Sequence, residues 1–306
     1  MNHTYFYSLN DYLRKTYGKK MYKISLNAGM SCPNRDGTLS REGCIFCSEG
    51  GSGDFAESPL LSITKQIELG KEKVKHKIKN NDFIAYFQAY TNTYAPVEYL
   101  EKIFMEAINH PDIRILSIAT RPDCLSEEIL SLLERLNRIK PVWVELGLQT
   151  IHESTARYIN RGYELSCFEQ AVAGLSGIGI DIIVHMILGL PKESNDDMLS
   201  TARYLSTLPI QGLKLQLLHV LKNTKLSFDY LQNKFQVLDL KQYVDIVISI
   251  IEILPPDMVI HRITGDGPKN ILIAPLWSSN KRMVLNTIHQ EFRQRDTWQG
   301  KYYENP

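Results

Sequence analysis

Three cysteines, Cys32, Cys44 and Cys47, share one Gly-rich segment, CPNRDGTLSREGCIFCSEGGSGDF, while Cys124 and Cys167 stand apart. Eleven residues separate Cys32 from Cys44, and two separate Cys44 from Cys47, a spacing that lets two thiolates reach one metal centre. An odd total of five cysteines does not fit a disulfide framework. A metal centre in a reducing compartment does. A structural zinc site closes with four ligands, yet no fourth Cys and no His lies in the segment, His76 being the nearest histidine. A cuboidal [4Fe-4S] cluster held by three cysteines leaves one iron open to chelate an amine and a carboxylate. That open iron would be the reactive position.

Such a segment needs a frame to hold it. Six short apolar, β-branched runs read as strands: Tyr22 to Asn27, Phe83 to Gln88, Ile113 to Thr120, Val142 to Leu148, Asp181 to Leu188 and Leu213 to His219. Stretches with helical spacing lie between them, such as Leu125 to Ile139 with Ile129, Leu132, Leu133 and Leu136 on one face. Strands this apolar are buried on both faces, and strict alternation with helices makes them parallel with right-handed crossovers. The reading is an α/β fold, either a partial (β/α)6 barrel or a doubly wound sheet. In a barrel the loops after the C-terminal ends of the strands build the active site, and the cysteine segment follows the first strand. Residues 1–21 read as an N-terminal extension and residues 22–233 as the barrel. Residues 234–306 read as a small C-terminal accessory region, with an amphipathic helix near Leu240 to Leu254 followed by Pro255 and Pro256.

Composition excludes several classes. Of 306 residues, 43% are hydrophobic and 23% charged, so disordered, collagen-like and coiled-coil chains are ruled out. Lys plus Arg number 35 against 34 acidic residues, so an anionic partner must be met by a local patch rather than a global field. No signal-peptide core or membrane-length apolar run is present, and the expectation is a cytoplasmic protein with no membrane partner.

The cysteine loop after the first strand resembles that of the radical S-adenosylmethionine superfamily, whose usual first gap is three residues. The longer gap here, within CPNRDGT, GCIFC and GGSGDF, resembles the YhcC/YtqA-type subgroup and, less closely, the radical enzyme subunit of Elongator. The resemblance implies a partial (β/α)6 radical SAM barrel with a [4Fe-4S] cluster on Cys32, Cys44 and Cys47. It also implies S-adenosylmethionine as cofactor and an electron donor such as flavodoxin or ferredoxin. Gln88, Tyr90, Thr91 and Asn92, in FQAYTNTY, are similar to the segment that receives the cofactor's amino group. Arg121 lies in a TRPD element shared with the Elongator subunit. Glu145 and Gln149 resemble fourth-strand positions facing the cofactor, and Arg161 resembles an arginine offered to its carboxylate, a pairing suited to a bidentate guanidinium. His185, before the Gly189-Leu190-Pro191 turn, joins this set, with a satisfied core histidine as its alternative reading. The glycines of Gly50-Gly51-Ser52-Gly53 would let backbone approach a ligand closely. The tail motifs His261 to Asp266 and Asp296 to Gly300 again favour the subgroup.

No individual catalytic residue is singled out. Cys124 and Cys167 read as small buried hydrophobes. The lysine run from Lys65 to Lys79 reads as a solvated helix face, with a phosphate-binding patch as its alternative. Arg262, Lys269, Lys281, Arg282, Arg293, Arg295 and Lys301, with Trp277 and Trp298, form a mixture suited to gripping RNA or to packing domains. The resemblance implies tRNA as substrate, at the C5 side chain of the wobble uridine, changed from carboxymethylaminomethyl towards aminomethyl. Two alternatives stand beside it: radical chemistry on a small molecule or peptide, and a non-catalytic zinc-stabilised RNA-binding module.

Overall fold

The structure is a computed structural model that describes residues 5–51, 53, 56–78, 81–265 and 267–304. Ser52, Asp54 and Phe55 of the cysteine segment, Lys79 of the lysine run and Asp266 of the tail motif lie outside the described residues.

The chain opens with α1 (Leu9–Tyr17), then alternates β1 (Tyr22–Leu26), α2 (Ile63–Val74), β2 (Phe83–Phe87), α3 (Val97–Asn109), β3 (Ile113–Thr120) and α4 (Glu127–Asn137). It continues through β4 (Val142–Gln149), α5 (Glu153–Tyr158), α6 (Leu165–Gly177), β5 (Asp181–Leu188), α7 (Asn195–Ser206) and β6 (Gly212–Leu217). The last part holds β7 (Val220–Leu221), α8 (Lys225–Leu231), α9 (Leu240–Ile253), β8 (Val259–Arg262), β9 (Leu272–Ala274) and α10 (Lys281–Gln294).

Seven of these strands form one parallel sheet in the order β1-β2-β3-β4-β5-β6-β8, a half-barrel rather than a doubly wound sheet. The order follows the chain because each helix crosses over on the same side, as right-handed βα units require. All six expected strands are present within a residue or two. The seventh, β8, has four residues after a double proline and pairs parallel with β6. So short a run, VIHR, half of it polar, carries little strand signal of its own.

Strand alternation sorts the side chains. Val142, Val144, Leu146 and Leu148 of β4 face outward into the main core under the helices, with Ile129, Leu132, Leu133 and Leu136 of α4. Ser126 caps α4, its hydroxyl accepting from the Ile129 amide. The α9 helix exceeds its expected amphipathic character: Tyr243, Val244, Ile246, Val247, Ile248, Ile250 and Ile251 are all buried, because α7 and α10 both pack against it.

The inward face is arranged in layers. Ile84, Ile115, Trp143 and Ile183, from β2 to β5, pack around Leu13 of α1 and Met21 as an apolar plug. Helix α1 is held there by its contact with β8 and by the Tyr7 carbonyl, which accepts from the Ile260 amide at 2.8 Å. The half-barrel is thereby closed at the N-terminal ends of its strands. Part of the lysine run is paired on the surface, Lys71 with Glu68 and Asp112 at 2.8 and 2.5 Å and Lys75 with Glu72 at 2.5 Å, while Lys77 lines the cavity described below.

Candidate active site

The cysteine loop lies across the C-terminal ends of the strands and is fastened by backbone groups. Cys32 O accepts from the amides of Arg35 and Asp36 at 2.8 and 3.1 Å, and Cys44 O accepts from the Cys47 amide at 3.0 Å. Two asparagines join the loop to the segment after β4. Asn34 Nδ2 donates to Asn160 O at 2.5 Å, and Asn160 Nδ2 donates to Gly43 O at 2.7 Å. The Arg35 guanidinium donates to the carbonyls of Cys47 and Ser48 at 3.0 and 2.6 Å.

Glycine in this loop serves a different contact from the one expected. A Cβ on Gly51 would lie 2.3 Å from the Tyr90 ring, and one on Gly53 would lie 2.6 Å from Ala89. The close approach is therefore between the loop and the turn after β2. Tyr90 completes the contact, its hydroxyl donating to Glu49 O at 2.5 Å and its amide to Gly51 O at 2.8 Å. Tyr90, Gln149 and Asn160 all adopt positive φ, of 60°, 67° and 54°. Non-glycine residues held in that region collect at sites whose geometry outweighs local comfort.

Cys32, Cys44 and Cys47 line one cavity of about 1450 Å³, whereas neither Cys124 nor Cys167 does. The Cys47 thiol donates to Cys44, and with Arg121, Asn34 and Arg35 it pulls the Cys44 thiol below its ordinary pKa despite burial. Donating to Cys44 and burial push Cys47 up. The surroundings of Cys44 thus favour the thiolate that an iron ligand must be. Cys124 is the opposite case, pushed up to about 12 by burial and then by Asp123. Three sulfurs at one cavity mouth, beside a cavity larger than the ~300–1,000 Å³ common for one small ligand, fit a three-cysteine cluster with its cofactor and leave room for a substrate group.

Of the nine expected cofactor-facing residues, Gln88, Tyr90, Thr91, Arg121, Glu145, Gln149, Arg161 and His185 line this cavity. Asn92 does not; its Nδ2 ties the ends of β2 and β3, donating to Phe87 O at 3.1 Å and Ala119 O at 2.9 Å. Arg161 is 1% exposed, and its guanidinium donates to the carbonyls of Leu148, Thr150 and Tyr163 and to Glu153. Those bonds make it a strut for the loop after β4 and occupy the donors expected for a cofactor carboxylate. Arg121 is similarly engaged, forked onto Asp123 at 2.9 and 2.6 Å and donating to Arg161 O at 2.9 Å.

Glu145 sits at the cavity floor, fully buried. Burial alone would raise its carboxyl, but Lys214, Lys23 and His185 hold it well below the usual range. It pairs with Lys23 from β1 and Lys214 from β6. It also accepts from Ser117 Oγ and His185 Nε2, each at 2.8 Å. Gln216 Nε2 lies 3.5 Å from His185 Nδ1, consistent with a neutral ring whose one proton points at Glu145. Burial, with Lys214 next, pushes His185 down to about 4. The Tyr86 ring lies between the two ammoniums, each 4.6 Å from its centroid.

Lys23, Tyr86, Ser117 and Lys214 escaped the sequence reading, and His261 entered it only as part of a tail motif. Their signal was present as polar residues at the inward positions of otherwise apolar strands. Among the described residues the cavity is lined by ten Lys or Arg residues and one acidic one, Glu145. Exposed Lys269, Lys281 and Arg282 belong to this set. A chain of net charge +1 thus concentrates positive charge where it opens.

Comparison with known proteins decides the family. Residues 35–205 match the Radical SAM superfamily, and residues 210–294 match the Radical_SAM C-terminal domain. The chain belongs to the radical SAM superfamily. It is 44% identical to YtqA of Bacillus subtilis over 98% of this chain and 93% of that protein. It is 28% identical to a tRNA uridine(34) acetyltransferase of Dehalococcoides mccartyi over 58% of this chain and 39% of that protein. The solved Elp3 of Methanocaldococcus infernus shares the fold, with a TM-score of 0.71 at 16% identity, over 91% of this chain and 64% of the archaeal one. This radical SAM enzyme therefore uses a [4Fe-4S] cluster and S-adenosylmethionine, and it needs a reductant. The non-catalytic zinc module falls with that assignment. Among the described residues no helix is long and apolar enough to cross a membrane.

Proposed function

We propose that this radical SAM enzyme modifies tRNA, converting the wobble-uridine C5 side chain from carboxymethylaminomethyl towards aminomethyl. The observation that carries the reading is the basic lining of the cavity, ten Lys or Arg among its described residues with Lys269, Lys281 and Arg282 exposed, in a nearly neutral chain. A polyanion is drawn to such a mouth and releases counterions on binding. The likeness to a tRNA uridine(34) acetyltransferase, confined to 58% of this chain, points to the same base.

Cys32, Cys44 and Cys47 would hold the cluster. When bound, the cluster and S-adenosylmethionine supply a 5′-deoxyadenosyl radical after one-electron reduction by a donor such as flavodoxin or ferredoxin. The chain's own residues bind and orient: Gln88, Tyr90, Thr91 and Gln149 line the wall beside the cysteines, and Arg121 and Arg161 brace the loop that closes it. The α1 plug packs apolar side chains beneath this polar layer. Nucleoside analysis of bulk tRNA from a strain lacking the gene tests the reading. Accumulation of 5-carboxymethylaminomethyluridine with loss of its aminomethyl products is expected. Unchanged wobble nucleosides would mean a different substrate, such as a small molecule or peptide.

A further inference from the structure

The floor of the cavity holds more positive charge than it neutralises. Lys23 and Lys214 reach Glu145 from β1 and β6, on either side of it across the curved sheet, and His185 donates to it as a neutral group. With both amines protonated, that layer sets two positive charges against one negative. Arg262 stands close enough to act on Tyr86 and Lys214. A buried ion cluster that served stability alone would close its charge, because each uncompensated buried ion costs several kcal/mol.

The layer's position sharpens the point. Lys23 stands three residues before the end of β1, so it lies roughly 10 Å below the strand ends that carry the cysteine loop. Above it are the amide side chains of Gln88 and Gln216, with Ser25 Oγ donating to Gln88 at 2.9 Å. Below it is the apolar plug. The lysines therefore face a polar shaft that runs up to the cysteines.

We infer that this layer is a seat for a carboxylate of the substrate, held by the ammonium groups of Lys23 and Lys214, with Glu145 positioning both. The inference rests on the reading of this cavity as the substrate site. A carboxylate entering the shaft brings the layer to neutrality and meets two donors already fixed in place. Burial drives the Lys214 ammonium towards losing its proton, and an adjoining anion opposes that loss. A substrate bearing a carboxymethyl group enters with its anionic end down, and a product that has lost that group leaves a seat it no longer fills. The seat would thereby sort substrate from product.

Binding to the cluster-loaded enzyme with S-adenosylmethionine present tests this, with 5-carboxymethylaminomethyluridine, 5-aminomethyluridine and sodium acetate as probes. The wild-type protein should bind the carboxylate nucleoside about tenfold to a hundredfold tighter than the amine. Lys214→Met should abolish that preference, and it should still fold because Lys23, Ser117 and His185 continue to partner Glu145. In Glu145→Gln, where the built-in counterion is gone, acetate should raise Tm more than in wild type. Equal binding of both nucleosides, or an equal loss of both in Lys214→Met, overturns the proposal. So does a loss of S-adenosylmethionine affinity that accounts for the whole effect, which would assign the carboxylate to the cofactor. If neither nucleoside binds but acetate raises the Tm of wild type and not of Lys214→Met, the seat stands and the tRNA reading fails. If acetate acts on neither, the seat fails.

Discussion

The two ends of the cavity are built by opposite means. At the mouth, the cysteines ride on a loop fastened by backbone carbonyls and amides, with Tyr90, Gln149 and Asn160 held at positive φ around it. At the floor, the polar atoms belong to side chains on adjacent rigid strands, and they satisfy one another around Glu145. A loop fastened through its backbone carbonyls, here by Asn34, Arg35, Asn160 and Tyr90 side chains as well, leaves its three thiols for an external partner. A strand-borne cluster commits its side chains to each other, so its chemistry is inseparable from stability. Changes at the mouth are expected to cost function without stability, and loss of the Glu145 carboxylate at the floor to cost both.

The sharpest break of that contrast is Cys44→Ser. Anaerobic reconstitution of the wild type should give about four irons per chain. The variant should hold almost none and yield no deoxyadenosine after dithionite, while its urea midpoint stays near that of wild type. A large stability loss would show that the mouth is structural after all. Glu145→Ala should show the reverse pattern, losing about 3–5 kcal/mol in urea unfolding because buried Lys214 and half-buried Lys23 lose their counterion. Adding Lys214→Met should recover part of that loss, a coupling that independent sites would not show.

The smallest expected effect is a pH slope. Burial and Lys214 lower His185 to about 4 in the folded chain, against roughly 6.5 when unfolded. The unfolded chain therefore binds the proton first. The neutral ring's contribution is complete above pH ~6.5 and declines as pH falls towards 4, by at most about 3 kcal/mol. His185→Gln should flatten that part of the stability profile. An unchanged slope would place the titration elsewhere.

The cysteine triad was legible because its signal is local: three thiols on one segment, with nothing nearby to close a zinc site. The first six strands were legible because parallel strands buried on both faces are written as apolar runs. β8 was not, since four residues with His261 and Arg262 among them become a strand only by pairing with β6. Lys23 and Lys214 looked like ordinary lysines, 191 positions apart in the chain. Only closure of the sheet into a half-barrel directs both at Glu145. Arg161 was found, but its expected partner was replaced by three carbonyls that the fold brings around it.

What the chain determines by itself is the chemistry class and the strand that delivers it, because ligand spacing and strand apolarity are properties of contiguous residues. What the tertiary structure alone decides is where charge gathers. Net charge is a sum over the whole chain, and it stays near zero here. Cavity charge depends on which side of each strand a lysine or arginine occupies, and on the curvature that turns those sides towards one another.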